Sequence, residues 1–192
     1  MPLNRSIKPY QKHAMLTEYA QRFGPKVFIE TGTFRGHTIK AMLISEHKFD
    51  RLYTIELTAG SAAHAQKRFA SFPHIKCLHG DSGQLLPELL KEIKEPCLFW
   101  LDAHYVGTKH DKYILSAPIR EELKCILEHP CAAQHVILID DVWYFQDAVY
   151  QPTVPTVAEI EAIVRSYFPN WIFDVELQII RTHRHGDDAK TG

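Results

Sequence analysis

Five short apolar segments recur along the chain, and each stops at or beside an acid: KVFIE (26–30), RLYTIE (51–56), HIKCLH (74–79), CLFWLD (97–102) and HVILID (135–140). Runs this short and this apolar are what strands buried on both faces look like. Between them the period changes to that of a helix. Residues 82–94 carry Leu85, Leu86, Leu89, Leu90 and Ile93, and residues 118–128 carry Ile119, Leu123, Ile126 and Leu127. A further helix opens at TVAE, where Thr156 and Glu159 form a capping box ahead of Val157, Ile160, Ile163 and Val164. Near the start, Met15, Leu16, Tyr19 and Phe23 share one helical face, and Gly24 with Pro25 ends that helix. The alternation predicts an α/β fold in which helices cover both faces of a doubly wound, mostly parallel sheet. The tail breaks the rhythm. WIFDVELQIIRT (171–182) holds two strands with no room for a crossover helix, so they pair as an antiparallel hairpin and bring the sheet to seven strands. The expected organisation is a helical segment over 1–25, one domain over 26–183 and a frayed tail over 184–192.

Composition narrows the classes of partner. At 192 residues the chain supports one substantial core. Twenty-two basic residues balance 23 acidic ones, so neither a nucleic-acid groove nor a polybasic membrane surface is expected. No apolar run approaches membrane-spanning length, and the first residues lack the apolar stretch of a secretion signal. Cys77, Cys97, Cys125 and Cys131 show no CxxC spacing and read as reduced, mostly buried thiols of a cytoplasmic protein. The twelve histidines are scattered, and most are expected at the surface.

Glu30, Glu56, Asp81, Asp102 and Asp140, with Asp141 following, mark the ends of the five strands. In an open parallel sheet those ends form the ligand crevice, so five carboxylates are expected on one rim. Gly32 provides a tight turn and close backbone approach, and Gly36 close packing of the next helix. An ordinary strand-to-helix turn would favour glycine as well. Glu56, 24 residues beyond Gly32, stands where an acid holds a ribose diol. A dinucleotide fingerprint would need glycines where Phe34 and His37 stand, and no G-K-[ST] follows for a P-loop. The loop therefore suits an adenosine ligand without a pyrophosphate.

The motifs resemble those of S-adenosylmethionine (SAM)-dependent methyltransferases of class I, whose parallel sheet also ends in an antiparallel hairpin. ETGTFRGHT is similar to the E-x-G-x-[FY]-x-G-x-[ST] motif of the catechol-type O-methyltransferases. YTIELTAGSAAHAQ, HGDSGQ, FWLDAHY and LIDDV resemble their next four strand-end segments, and the likeness spans residues 26–142. A group of small bacterial methyltransferase-like proteins with LDAHY, PI.EEL and ILIDD is similar more nearly end to end. The resemblance implies that Glu30, Thr31, Gly32, Thr33 and Gly36 surround the methionine part of SAM. It also implies that Glu56 holds the ribose, that Asp81 and Ser82 flank the adenine, and that Asp102 lies beside the cofactor.

For Asp102, Asp140 and Asp141 the resemblance further implies a divalent metal site, and hard carboxylate oxygens suit Mg2+. The catechol type has Asp-Asn where this chain has Asp140-Asp141. Asp141 could equally cap the following segment. His104, just past the fourth strand, is the candidate general base, with hydrogen bonding to a strand-end carboxylate as its other role. Lys109 and His110 lie in the loop beyond it. Trp143, Tyr144, Phe145 and Tyr150 could wall a substrate pocket or pack the loop onto the sheet. The expected function is SAM-dependent O-methylation of a small-molecule hydroxyl, with Mg2+ as an assisting ion. A SAM-binding module without transferase activity and a nucleotide-dependent oxidoreductase are the alternatives. Nothing in the sequence fixes the oligomeric state.

Overall fold

The structure is a computed structural model, and it describes residues 8–103, 118–147 and 153–185. The expected strands form at β1 (Val27–Thr31), β2 (Arg51–Glu56), β3 (Ile75–His79), β4 (Cys97–Leu101) and β5 (Val136–Ile139), joined by β6 (Ile172–Glu176) and β7 (Ile179–His183). The helices are α1 (Pro9–Phe23), α2 (His37–Ile44), α3 (Ala59–Phe69), α4 (Ser82–Glu92), α5 (Ile119–Leu127), α6 (Val142–Gln146) and α7 (Val157–Tyr167). The sheet order is β3-β2-β1-β4-β5-β7-β6. The first five strands run parallel, and β7 pairs antiparallel with both β5 and β6. The chain winds outward in both directions from β1 and β4, which places a topological switch point, and hence a crevice, at their carboxyl ends.

Alternation along the strands divides the core. Val27, Ile29, Phe99, Leu101, Ile137 and Ile139 pack with α4, α5, α6 and α7. Phe28, Leu52, Leu98, Trp100, Val136 and Leu138 pack with α1, α2 and α3. Both sets are buried because crossover helices cover both sides of a parallel sheet. Helix α1 belongs to this second layer through Met15, Leu16, Tyr19 and Ala20. It ends as expected, with Gly24 left-handed at φ 61°. The Thr156–Glu159 capping box also forms.

Several details differ from expectation. The β6–β7 turn is made by Leu177 and Gln178, both at positive φ (50° and 60°). Tight hairpins need that geometry, but Asn and Gly usually supply it. Among the described residues three histidines are buried: His129, His135 and His183. His183 is the last residue of β7 and packs against the Tyr19 and Phe23 rings. All four cysteines are free, but only Cys97 is fully buried, because it alone sits in a central strand facing the core. Residues 186–192 lie outside the described residues.

Candidate active site

The strand-end acids are tied into the sheet before any ligand is considered. Asp102 N–H donates to Thr31 O at 3.0 Å, Asp140 N–H to Leu101 O at 3.0 Å, and Gly80 N–H to Glu56 O at 2.9 Å. The ladder thus continues one step past each strand, and the carboxylates start from a rigid rim. Strand alternation carries Glu30 and Glu56 to the α1–α3 side of the sheet, with Phe28 and Leu52. Thr31 falls on the other side and is fully buried, so it can offer the crevice only its backbone.

Loop 32–36 is shaped by its glycines. Gly32 has φ 86°, and a Cβ there would lie 2.2 Å from the Asp102 carbonyl oxygen. Gly36 has φ 68°, and a Cβ would meet the Phe69 ring of α3 at 2.9 Å. The first glycine thus permits the β1 and β4 ends to meet. The second lets the start of α2 pack on α3. Between them Phe34 is held at φ 44°, a conformation that bulky residues avoid, with its ring exposed.

Glu56 is what holds this loop. Its Oε2 accepts the Phe34 N–H at 2.7 Å, and its Oε1 accepts the Thr58 N–H at 2.8 Å. One bond per oxygen fixes the carboxylate and leaves each oxygen with acceptor capacity. Glu30 is buried and accepts from Thr54 Oγ1 at 2.7 Å, while Thr33 and Thr54 are hydrogen-bonded to each other. Burial pushes the Glu30 carboxyl up to about 8, and neighbouring Glu56 adds to the rise. Asp81 is the N-cap of α4, its Oδ1 accepting the Gly83 N–H at 2.8 Å, and Ser82 beside it is buried.

At the next two strand ends, one carboxylate oxygen from each of Asp102, Asp140 and Asp141 lies within 4.8 Å of the others. The expected convergence is present, but the cluster already holds a cation. Lys12 of α1 forms an ion pair with Asp140 Oδ2, and its Nζ lies 3.3 Å from Asp141 Oδ1. Burial, reinforced by the charges of Asp140 and Asp141, raises Asp102 well above the usual carboxylate range. Asp140 is pushed up to about 6, again by burial first and Asp141 second, with Lys12 opposing. Burial alone would lower Lys12, but the three carboxylates outweigh it and the ammonium holds its proton more tightly. Asp141 is left-handed at φ 54°, and its N–H donates to Asp140 Oδ1 at 2.8 Å. The hairpin turn braces this corner, since Gln178 O accepts the Val142 N–H at 2.9 Å.

Sequence reasoning missed Lys12, which is 128 residues from Asp140. One signal was available: Lys12 precedes Leu16 and Tyr19 at helical spacing, so a cation stood on the buried face of an amphipathic helix. Of the aromatics after β5, Tyr144 is wholly buried in the core, while Phe145 lines a small pocket with Leu101, Ala103 and Ile139. Packing onto the sheet is therefore the main role of that pair. His104, Lys109, His110 and Tyr150 lie outside the described residues. Among the described residues no helix is long and apolar enough to cross a membrane.

No family model matches the chain, and no curated protein matches it. Solved structures do. The SAH-bound methyltransferase PaMTH1 of Podospora anserina superposes with a TM-score of 0.62 at 16% identity, covering 93% of this chain and 80% of that one. An O-methyltransferase of Bacillus cereus in complex with SAH gives 0.60 at 18% identity, with 95% and 84% covered. The O-methyltransferase TomG of Streptomyces achromogenes, in complex with SAM, gives 0.58 at 19%, with 96% and 83% covered. At these identities the likeness is one of fold. Sheet order, terminal hairpin and superposition together give this chain the fold of the class I SAM-dependent methyltransferases.

Proposed function

We propose that the protein is a SAM-dependent methyltransferase acting on a hydroxyl group of a small molecule. The observation that carries this reading is the Gly32 turn with Glu56 behind it. The turn brings backbone so close to the β4 end that a Cβ has no room, and the Glu56 carboxylate is fixed at the β2 end by two backbone N–H groups. That combination fits a ribose diol and an unbranched chain passing over the loop. When bound, SAM supplies an electrophilic methyl group on a sulfonium.

The chain's own residues then have distinct tasks. Glu56 accepts the ribose hydroxyls. Asp81, one oxygen engaged in capping α4, presents the other toward the adenine amino group, and Ser82 lies beside it. Glu30 and loop 32–36, including Thr33, border the methionine part, and Asp102 closes that side. The acceptor hydroxyl must be in line with the methyl group and must lose its proton, and His104 is the residue proposed to take it. Metal assistance was the other expectation for Asp102, Asp140 and Asp141. Three carboxylates suit a hard divalent ion, but with Lys12 seated between two of them the set does not fit one. No step is therefore assigned to a metal.

The test is transfer of labelled methyl from SAM to a panel of phenols and sugars. Turnover on at least one hydroxyl compound, reduced about 100-fold or more in His104→Ala, is the expected result. Binding of SAM with no transfer to any hydroxyl would favour the binding-module alternative.

A further inference from the structure

We propose that the Lys12 ammonium is the resident cation of the Asp102–Asp140–Asp141 cluster, standing where a divalent ion would otherwise bind, so that helix α1 is part of the active site. This deepens the methyltransferase reading and rests on it only for the cluster's place beside the transfer site.

The geometry is specific. A divalent ion of magnesium size binds carboxylate oxygens at about 2.1 Å. To use these acids it would have to sit among oxygens that lie within 4.8 Å of one another. Lys12 Nζ is already bonded to the Asp140 oxygen and reaches Asp141. Ion and ammonium would compete for the same lone pairs and repel each other at close range. Retraction of the lysine is opposed from two sides. The α1 backbone that carries it is anchored in the core by Met15, Leu16 and Tyr19, which are 6%, 0% and 4% exposed. Its main partner, Asp140, is completely buried and would be left there without its counter-charge.

The substitution changes what the site can do. A divalent ion binds a substrate oxygen directly and carries two charges. An ammonium carries one charge and three N–H donors, so it can orient an acceptor only by hydrogen bonding. Lys12 is thus a positioning residue supplied by the segment preceding the sheet. A requirement for added metal is not expected.

Mn2+ titration, followed by the electron paramagnetic resonance of the free ion, reads the competition without any need for turnover. The full chain is expected to show no site tighter than millimolar. Lys12→Met, which keeps most of the apolar stem and removes the charge, should gain a site at least tenfold tighter, and adding Asp140→Asn should abolish it. Lys12→Arg should behave as the wild type. Wild-type Mn2+ binding that is tighter than millimolar and lost in Asp140→Asn would overturn the proposal without recourse to any lysine variant. So would a folded Lys12→Met protein with no gain. Lys12→Gln serves as the neutral variant should Lys12→Met fail to fold. SAM titrated into the same samples separates the two ideas. Absence of SAM binding would sink the methyltransferase reading and leave the metal result interpretable.

Discussion

Strands β4 and β5 carry a titratable cluster at each end, buried at the amino end and partly buried at the carboxyl end, and the two clusters are built on opposite terms. At the amino end, the Cys97 N–H donates to His135 Nδ1 at 3.0 Å, so His135 Nε2 carries the proton and donates to His129 Nδ1 at 2.9 Å. His129 Nε2 in turn donates to Ile93 O at 3.0 Å. Every ring nitrogen is used and neither ring needs charge. Burial, with help from His129, pushes His135 down to about 3. At the carboxyl end, three carboxylates gather beside the Lys12 ammonium, and burial with mutual repulsion pushes Asp102 and Asp140 upward. A satisfied neutral chain stabilises the fold. A crowded, charged one raises the pKa values of its buried acids, as groups gathered for function often do.

The sharpest way to break this contrast is pH. His135 titrates at about 3 in the folded protein against 6.5 ordinarily. The unfolded chain therefore binds the extra proton between those values, and stability is lost as pH falls below about 6.5. Glu30 has the opposite sign. Its folded value is about 8 against 4.5, so the folded state holds a proton the unfolded chain has released, and stability falls as pH rises from about 4.5 to 8. Each slope is worth about 5 kcal/mol by proton linkage. Denaturant melts across pH should show Glu30→Gln flattening the alkaline slope and His135→Phe the acid one. Swapped or unchanged slopes would contradict the assignment of charge states.

Gly32→Ala comes next. A Cβ 2.2 Å from the Asp102 carbonyl at φ 86° should cost about 3 kcal/mol of stability from overpacking and left-handed strain. SAM binding should vanish with it. A variant that melts normally and still binds SAM would show that the close approach of β1 to β4 is incidental. The smallest effect is expected in the hairpin. Leu177→Gly relieves a left-handed leucine and should raise stability by about 0.5–1 kcal/mol with SAM affinity unchanged. A loss of stability would mean that the half-exposed leucine side chain contributes more than its backbone strain costs.

The contrast also explains what the sequence made legible. Strands buried on both faces appear as apolar runs, so β1, β4 and β5 and the acids ending them could be placed directly, and the half-exposed edge strand β3 followed from the same alternation of strands and helices. The β6–β7 hairpin followed from chain length alone. Its turn did not, because Leu177 and Gln178 adopt a conformation that tertiary contacts impose, including the Val142 N–H bonded to Gln178 O. The side of the sheet that receives Glu30 and Glu56 depends on which helices lie where, and the connections do not state that. Lys12 was illegible for a related reason: its partners are distant in the chain, and the only local sign was a charge on an apolar helix face. The histidines of the amino-end chain looked like surface residues because a buried neutral imidazole is recognisable only by its partners.

The central claim is that the carboxyl rim around loop 32–36 and Glu56 receives SAM. Calorimetric titration of SAM, its demethylated product and NAD into the wild type and Glu56→Ala tests it most directly. Micromolar binding of both sulfur ligands, weakened about tenfold or more in Glu56→Ala for the loss of about 1.5 kcal/mol of charge-assisted hydrogen bonding, with no heat from NAD, is the predicted result. NAD binding with the sulfur ligands silent would contradict the account, as would SAM binding indifferent to Glu56.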